Sequence, residues 1–467
     1  MAERKPVHIT AEQLAEQRHY AAMVSAMADR PASYHVVTYG CQMNAHDSEK
    51  LSGMLRDMGM TEAADRTEAD FVIFNTCCVR DNAERRALGN VTWLKEVRKK
   101  NPRLIIAVCG CMIQQPGMAE KILKQYKFVD LAFGTSNLYK LPELLYKTLN
   151  TDRAVVMVED EDTIAEELPI KRLRSDAAYI TIMYGCDNFC SYCIVPYVRG
   201  RERSREMEAI LKEARELKAS GVKEIMLLGQ NVNSYGKGLE GDVSFAKLLR
   251  ELDAIGIERI RFMTSHPKDL SDELILVMGE CKHVLPQFHL PVQSGINEIL
   301  RQMNRRYTRE QYLEKVRKLR EAVPGIGLTT DIIVGFPGET EEQFLDTMSL
   351  VQEVGYDSAF TFIYSPRTGT AAAKMTDRMI PDDVATDRIQ RLIAAQDEGQ
   401  KKAMERFIGQ EEEVLVEGLS RRSETAVSGK GRHGISITLP GSQADVGQIV
   451  RVRVTEIKNN TLMGERL

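Results

Sequence analysis

Residues 179–193 read YITIMYGCDNFCSYC, a strand-length apolar run from Tyr179 that leads into Cys186-Asp187-Asn188-Phe189-Cys190-Ser191-Tyr192-Cys193. The run predicts a buried strand, and three cysteines in CxxxCxxC spacing predict a metal-binding loop at its carboxyl end. Further strand-length runs follow: EIMLLGQNV from Glu224, RIRFMTS from Arg259, LPQFHLPVQ from Leu285, GLTTDIIVGFP from Gly327 and SAFTFIYS from Ser358. Segments with helical spacing separate them, among them Arg205 to Ala219 and Thr308 to Ala322. Strands that alternate with helices imply parallel βα units. Six such units are too few for the eight-stranded closed barrel, so residues 175–405 read as a partial, open (βα)6 barrel.

Upstream, YHVVTYG from Tyr34, FVIFNT from Phe71 and LIIAVCG from Leu104 alternate with the amphipathic stretches Ser48 to Asp57 and Asn82 to Lys99. They predict a Rossmann-like parallel-sheet domain over residues 34–150. Residues 1–33 are polar with helical spacing and read as an N-terminal extension. Residues 151–174, where Glu159, Asp160, Glu161 and Asp162 give way to the basic KRLR from Lys171, read as a linker. Downstream, a polar helix from Pro381 to Phe407 leads into period-2 alternation in Gly434 to Leu439 and Ile449 to Thr455. That alternation predicts a small all-β barrel over residues 406–467. The fold class is therefore α/β with a C-terminal β module.

A chain of 467 residues is long enough for several cores of about 150 residues each. With 43% hydrophobic and 28% charged residues and a mean hydropathy of -0.29 it has the composition of a globular protein. The most apolar stretch, Leu104 to Ile113, is broken by Gly110 and falls far short of the roughly 20 residues of a membrane span. The N-terminal MAERKPVHITAEQ lacks an apolar signal core, so no membrane partner and a cytoplasmic location are expected. A net charge of -4 excludes a globally basic nucleic-acid coat but allows a local basic groove. Nine cysteines, an odd number without an export signal, argue for metal or catalytic use rather than disulfides.

Three thiolates from Cys186, Cys190 and Cys193 can hold three irons of a [4Fe-4S] cluster and leave the fourth open. An open iron can chelate the amino and carboxylate groups of S-adenosylmethionine, whose sulfonium C–S bond a reduced cluster cleaves to a 5′-deoxyadenosyl radical. A closed zinc site is the bland alternative, but it needs four ligands, usually in CxxC pairs. A second trio is less obvious. Cys41, Cys77 and Cys111 each follow an apolar run, in TYGCQMN, FNTCCVR and CGCMIQ. If those runs are neighbouring parallel strands, the thiols emerge together at the carboxyl edge of one sheet, where α/β folds bind ligands. A second [4Fe-4S] cluster is the favoured reading, against three unrelated core cysteines. Cys78, Cys109 and Cys281 read as packing residues.

The CxxxCxxC loop in its βα context resembles the radical S-adenosylmethionine superfamily. Gly335-Phe336-Pro337-Gly338-Glu339, after the strand TTDIIV, is similar to that superfamily's adenosyl-binding element. The resemblance implies Gly335, Gly338 and Glu339, with Tyr192, as contacts to S-adenosylmethionine. More narrowly, YGCQMN, NTCCVRDNAE, CGCM, GCDNFCSYCIVPYVRGRERSR, LLGQNVNSYG, HLPVQSG, TDIIVGFPGET and YSPRTGT together resemble the MiaB-type tRNA methylthiotransferases. The likeness runs from about Tyr34 to the C-terminus. It implies an N-terminal methylthiotransferase domain, a radical barrel and a C-terminal TRAM domain that binds RNA. It also implies the reaction, methylthiolation of C2 of N6-isopentenyladenosine at position 37 of tRNA, beside the anticodon. Two molecules of S-adenosylmethionine per turnover and an electron donor such as a flavodoxin or ferredoxin belong to that implication. The aryl C–H at C2 is not acidic, which suits hydrogen abstraction by a radical and excludes a general base. Within the likeness, Gln42-Met43-Asn44 and Val79-Arg80 favour the isopentenyl branch. The alternatives are relatives that act on threonylcarbamoyladenosine or on a ribosomal-protein aspartate, and, from another class, a non-enzymatic iron-sulfur or zinc RNA-binding protein.

Basic residues supply the candidate RNA contacts. Arg199, Arg201, Arg203 and Arg205 follow the cysteine loop, and Arg301, Arg305 and Arg306 form a second group. Each reads equally as a phosphate contact or a solvated face. Strand alternation puts Arg451 and Arg453 on one exposed face, which makes them better candidates. His266 and His289 lie at barrel strand ends and read as pocket, core or supporting residues.

Overall fold

The computed structural model describes residues 7–78, 81–159, 163–421 and 423–467, with the side chains of Val7 and residues 81–83 left aside. Val79, Arg80 and the acidic residues Asp160, Glu161 and Asp162 of the sequence reading lie outside the described residues. The chain forms two compact units. One comprises Met1–Leu173, Tyr184–Asp187 and Cys193–Arg205, and the other Arg174–Met183, Asn188–Tyr192 and Glu206–Leu467.

The first unit is built on a six-stranded sheet in the order Thr61–Glu62, Ser33–Thr38, Phe71–Thr76, Ile105–Gly110, Leu131–Phe133 and Val155–Met157. Every pairing is parallel. Phe71–Thr76 is buried along its whole length because its two faces feed different cores. Val72 and Phe74 pack with Leu94, Ile106 and Val108, whereas Phe71 and Ile73 pack with Leu51, Leu131 and Leu144. Helices on both faces of a parallel sheet require such continuous apolar strands.

The expected linker and extension both contribute to this unit. Val155–Met157 is the last strand of the sheet, and Thr163–Ile164 pairs in parallel with Val7–His8. Three-residue and two-residue strands are too short to leave a periodic signal. Within residues 1–33 a helix, Ala11–Ala26, carries a capping box between Thr10 and Gln13 and buries Gln17 and Val24.

The first helix after the opening strand, Gln42–Asp57, is enclosed rather than amphipathic. Met43, Asn44 and the whole run from His46 to Leu55 are buried. Its polar side chains are matched individually. Ser48 accepts from Thr38 Oγ1 at 2.7 Å and from Asn75 Nδ2 at 3.0 Å, and Glu49 Oε2 lies 3.0 Å from His46 Nδ1. Gly53 lets the segment before Leu173 lie across the helix, since a Cβ there would come within 2.2 Å of the Pro169 carbonyl oxygen.

The second unit contains the barrel. Arg259–Phe262, Glu224–Leu228 and Ala177–Thr181 form one parallel sheet, and Gln287–His289, Gly327–Val334 and Ser358–Ile363 form another. A parallel bridge between Ile260 and Val284 links them, giving six consecutive strands in spatial order. Among the described residues no pairing joins Ala177–Thr181 to Ser358–Ile363, so the barrel is open, as the count of six units implies. Ile180, Leu227, Phe262, Phe288, Leu328 and Ile332 point into one continuous core. The helices Met207–Ala219, Arg309–Ala322 and Asp382–Glu405 fall within two residues of the expected bounds.

Glu411–Ser420, Ser423–Gly431, Ser436–Pro440, Thr461–Arg466 and Ile449–Lys458 close into a small barrel within the same unit. Along Ile449–Lys458, Val450, Val452 and Val454 are buried and Arg451 and Arg453 exposed, which is the predicted alternation. Among the described residues no helix is long and apolar enough to cross a membrane.

Candidate iron-sulfur and nucleoside site

In the first unit the sheet brings Cys41, Cys77 and Cys111 to one edge. Thr38 pairs with Asn75 and Thr76 with Gly110, so three adjacent strands end level, and the cysteines follow those ends. Cys77 and Cys111 are buried and Cys41 is exposed at the start of the helix Gln42–Asp57. Gly40 is held at φ +113°, and a Cβ on it would lie 2.4 Å from the Cys77 Cβ. No other residue lets that chain pass so close. Asn44 ties the edge together, donating from Nδ2 to the carbonyls of Tyr39 at 2.9 Å and Thr76 at 3.1 Å.

Burial pushes the Cys111 thiol up to about 12; Arg199 opposes the rise, and the neighbouring Cys77 and Cys41 thiols add to it. Three thiols that feel one another at a sheet edge suit a soft metal centre that binds thiolates and displaces their protons. Among the described residues no three His, Cys, Asp or Glu side chains converge as the ligands of a single ion do. Cluster thiolates need not converge in that way, because each binds a different iron. Cys78 is fully enclosed in the core beside Val91 and Met112, and Cys109 sits in the opposite core, its thiol pushed well up by burial. Cys281 packs against the barrel core.

Arg199 does not reach solvent. Its Nη2 donates to Asp47 Oδ2 and to Asn44 Oδ1, each at 2.8 Å, and its Nε donates to Cys111 Sγ at 3.1 Å. The expectation that it meets RNA phosphate is corrected on that ground: its guanidinium is spent inside the protein on a carboxylate and a thiol. Arg203 and Arg205 are also buried, the latter paired with Glu166 at 2.6 Å. Arg201 is about half exposed and pairs with Asp187 at 2.9 Å. Asn44 and Asp47 carry no signal of their own in the sequence, although they fall three and six residues after Cys41, one helical turn apart.

In the second unit, the part of the cysteine loop from Asn188 to Tyr192 is held on several sides. Phe189 adopts φ 45°, a left-handed conformation uncommon for a bulky residue. Asn304 Nδ2 fixes it by donating to the carbonyls of Asn188 and Phe189, and Lys268 Nζ donates to Asn188 Oδ1 at 2.7 Å. Such backbone strain gathers at functional sites. Around Cys190 Sγ lie Arg305 Nη1 at 3.4 Å and His266 Nε2 at 4.0 Å. His266 Nδ1 accepts from the Lys268 backbone N–H, which leaves the ring proton on Nε2, facing the sulfur. Burial, then the charges of Arg305 and Lys268, keeps this imidazole neutral far below its ordinary range. Cys186 and Cys193 are half-buried in the first unit, and the Cys186 backbone N–H donates to the Gly200 carbonyl at 3.2 Å.

Tyr192 packs in the same apolar cluster as Ile299, Met303 and Phe336, so the cysteine loop and the Gly335–Glu339 turn share a small core. The turn itself is used internally. Glu339 Oε2 accepts from the Gly335 backbone N–H at 2.7 Å and pairs with Arg388 at 3.0 Å, while its Oε1 is buried without a partner. Burial raises that carboxyl. A Cβ on Gly338 would run into the Arg378 guanidinium, at 2.1 Å. Protein neighbours therefore already account for Gly338 and for one oxygen of Glu339. The orphaned Oε1 is the atom of this turn still able to serve a ligand. His289 is held by Thr329 Oγ1 at 2.9 Å.

The fold and its cysteine loop define a radical S-adenosylmethionine protein. Residues 180–351 match the model of the radical SAM superfamily, residues 33–134 that of the uncharacterized protein family UPF0004, and residues 405–467 that of the TRAM domain. The radical S-adenosylmethionine methyltransferase TsrM from Kitasatospora setae, solved with cobalamin and a [4Fe-4S] cluster bound, shares the fold at 17% identity. Its TM-score is 0.55, covering 73% of this chain and 77% of that one. The tRNA-2-methylthio-N(6)-dimethylallyladenosine synthase of Clostridium perfringens (strain SM101 / Type A) is 54% identical over 432 residues, 92% of this chain and 96% of the relative. That of Acetivibrio thermocellus is 49% identical over 471 residues, 99% of this chain and 98% of the relative. The chain belongs to the family of tRNA-2-methylthio-N(6)-dimethylallyladenosine synthases.

Proposed function

We propose that this chain is a radical methylthiotransferase that places a methylthio group on C2 of N6-isopentenyladenosine at position 37 of tRNA. The observation that carries the reading is the gathering of Cys41, Cys77 and Cys111 at one sheet edge in a chain that also bears the CxxxCxxC loop, within a family of that name. Two separate three-thiol sets suit two [4Fe-4S] clusters, one at Cys186, Cys190 and Cys193 and one at Cys41, Cys77 and Cys111. When bound, the clusters and two molecules of S-adenosylmethionine supply the radical, the methyl group and the sulfur.

The chain's own residues hold and orient those groups. Asn304, Lys268 and His266 fix the loop around Cys190, Asn44 and Gly40 fix the second edge, and Tyr192 with the Gly335–Glu339 turn offers the nucleoside a half-buried ring and a free carboxylate oxygen. The C-terminal β barrel, matched by the TRAM model, is the proposed tRNA-binding part, with Arg451 and Arg453 as its candidate phosphate contacts; Arg201, in the first unit, is a separate candidate. The proposed division is a sulfur-insertion part in the first unit, a radical barrel and that RNA-binding module. A low-potential flavodoxin or ferredoxin is the proposed electron donor, and the cytoplasm, where tRNA is modified, the proposed location.

The test is anaerobic turnover with S-adenosylmethionine, a one-electron reductant and tRNA bearing N6-isopentenyladenosine, followed by mass spectrometry of the digested nucleosides. A methylthio product on that nucleoside is expected. Product only from threonylcarbamoyladenosine tRNA, or only on a ribosomal protein, transfers the chain to a sister activity. Binding of tRNA with no S-adenosylmethionine cleavage makes it a non-enzymatic RNA-binding protein. Iron and sulfide analysis separates two clusters from one, at about eight irons per chain against about four.

A further inference from the structure

In each cysteine set a buried arginine donates to a cysteine sulfur, Arg199 in one and Arg305 in the other, and the two differ in how their charge is met. Arg199 donates to Cys111 Sγ at 3.1 Å and is paired with Asp47 at 2.8 Å. Arg305 donates to Cys190 Sγ from Nη1 at 3.4 Å. Its other hydrogen bonds go to the hydroxyls of Tyr192 at 3.4 Å and Tyr307 at 3.0 Å and to the Pro291 carbonyl at 2.6 Å, and its guanidinium lies over the Tyr307 ring at 5.3 Å. The two hydroxyls, the carbonyl and the ring are all neutral. Arg305 is only 4% exposed, and among the described residues no carboxylate pairs with it. A guanidinium held out of water without a counter-ion is strongly unfavourable, so such a group marks the place of an anion that completes the site.

We infer that Arg305 and the Arg199–Asp47 pair decide which cluster accepts the incoming electron, Arg305 favouring reduction at Cys190 and Asp47 withholding the same help at Cys111. The inference rests on the two-cluster reading above. A cluster held by three thiolates gains one negative charge on accepting an electron, with no bond made or broken. An uncompensated cation beside a ligand sulfur stabilises that added charge, and a cation already neutralised by a carboxylate does so far less. The one-electron donor, a reduced flavin or iron-sulfur protein in the cell or dithionite in the cuvette, then loads the radical-forming cluster first. Arg305 is thus a positioning residue: it acts through Cys190 and reaches no substrate atom in this role.

The test is a redox titration of the reconstituted full-length protein followed by electron paramagnetic resonance. The signal that the triple alanine variant of Cys186, Cys190 and Cys193 lacks is that of the radical-forming cluster. Arg305→Gln should disfavour reduction of that cluster at least tenfold, a fall of about 59 mV in a one-electron midpoint. Arg305→Lys, which keeps the charge, should restore most of it. Asp47→Asn should move the other midpoint upward by a similar factor, because it frees the Arg199 charge. Unchanged midpoints in Arg305→Gln and Asp47→Asn at full iron content overturn the inference and leave the two-cluster reading standing. About four irons and one titrating signal in the unsubstituted protein sink that reading instead. Should Arg305→Gln fail to hold its iron, Asp47→Asn decides alone: a raised midpoint supports the inference and an unmoved one ends it.

Discussion

Arg259 and Glu224, on adjacent barrel strands, form an ion pair closed to water, Nε to Oε2 at 2.8 Å, with the arginine wholly buried. The same guanidinium donates from Nη2 to the carbonyls of Lys430 at 2.9 Å and Gly431 at 3.2 Å in the C-terminal β module. Removing one member of a buried pair leaves the other desolvated, at a cost of about 3–5 kcal/mol. Because Arg261 also reaches Glu224, at 3.2 Å, the lower end of that range is expected for Arg259→Met. Denaturant melts of the full chain should show the loss. A midpoint within error of the unsubstituted protein would mean that Arg261 and solvent suffice.

Cys77 and Cys78 are neighbours in sequence with opposite surroundings, the first against Gly40 at the sheet edge and the second in the core. Cys77→Ala should therefore lose about half the iron and all methylthio product while still forming 5′-deoxyadenosine. Cys78→Ser should keep its clusters and lose stability, since it places a hydroxyl in an apolar core. Normal product from Cys77→Ala excludes it as a ligand and makes Cys78 the next candidate.

The triple replacement of Cys186, Cys190 and Cys193 by Ala is the converse experiment. It should also keep about half the iron, but abolish S-adenosylmethionine cleavage altogether. Cleavage that survives in this variant would show that the other trio generates the radical.

The strands are legible in the sequence where burial is two-sided, as in FVIFNT, because continuous apolar runs of strand length have few other uses. The cysteine trio of the first unit is legible for a related reason: parallel neighbours in level register turn three local statements, each a cysteine after a strand, into one site. Long-range pairing of charge is not legible. Arg199 looks like part of a solvated basic run, and only the fold reveals Asp47 beneath it. Arg305 is equally opaque, since nothing in NRRYT distinguishes the enclosed Arg305 from the exposed Arg306. The helix Gln42–Asp57 misleads for the same reason, as its buried Asp47, Ser48 and Glu49 find partners on distant segments.

His46 offers a pH signature in the first unit. It is buried against Glu49, and burial, reinforced by the charges of Lys50, Arg172 and Arg205, holds it neutral well below the ordinary imidazole range. The unfolded chain then binds more protons than the native one below pH of about 6.5, so stability falls as pH drops through that value. Between pH 7.5 and 6 the loss from this residue alone is about 0.8 kcal/mol. Stopping at pH 6 limits interference from the Glu49 carboxyl, which burial raises from a lower starting value. Apo-protein melts at both pH values should give a smaller difference for His46→Gln; an equal or larger one would place the proton uptake elsewhere.

Arg451 and Arg453 share the exposed face of their strand, but they are not free charges. Both reach Glu411 on the neighbouring strand, Arg453 at 3.1 Å, and their hydrogen bonds keep that carboxyl ionised below its usual range. The trio therefore presents one net positive charge where the sequence promises two. If this face meets tRNA phosphate, replacing both arginines by alanine should weaken binding and lower the log–log salt slope by roughly one to two units. Glu411→Gln should do the opposite, tightening binding and steepening the slope by up to roughly one unit as the second cation becomes available to phosphate. Filter binding across a salt series reads both, with the clusters and uncoupled S-adenosylmethionine cleavage as controls that should stay unchanged. Opposite signs for the two variants identify a phosphate-binding face. Unchanged affinity and slope in both make it a solvated surface with a salt bridge, and move the search for the tRNA contact to exposed Arg201.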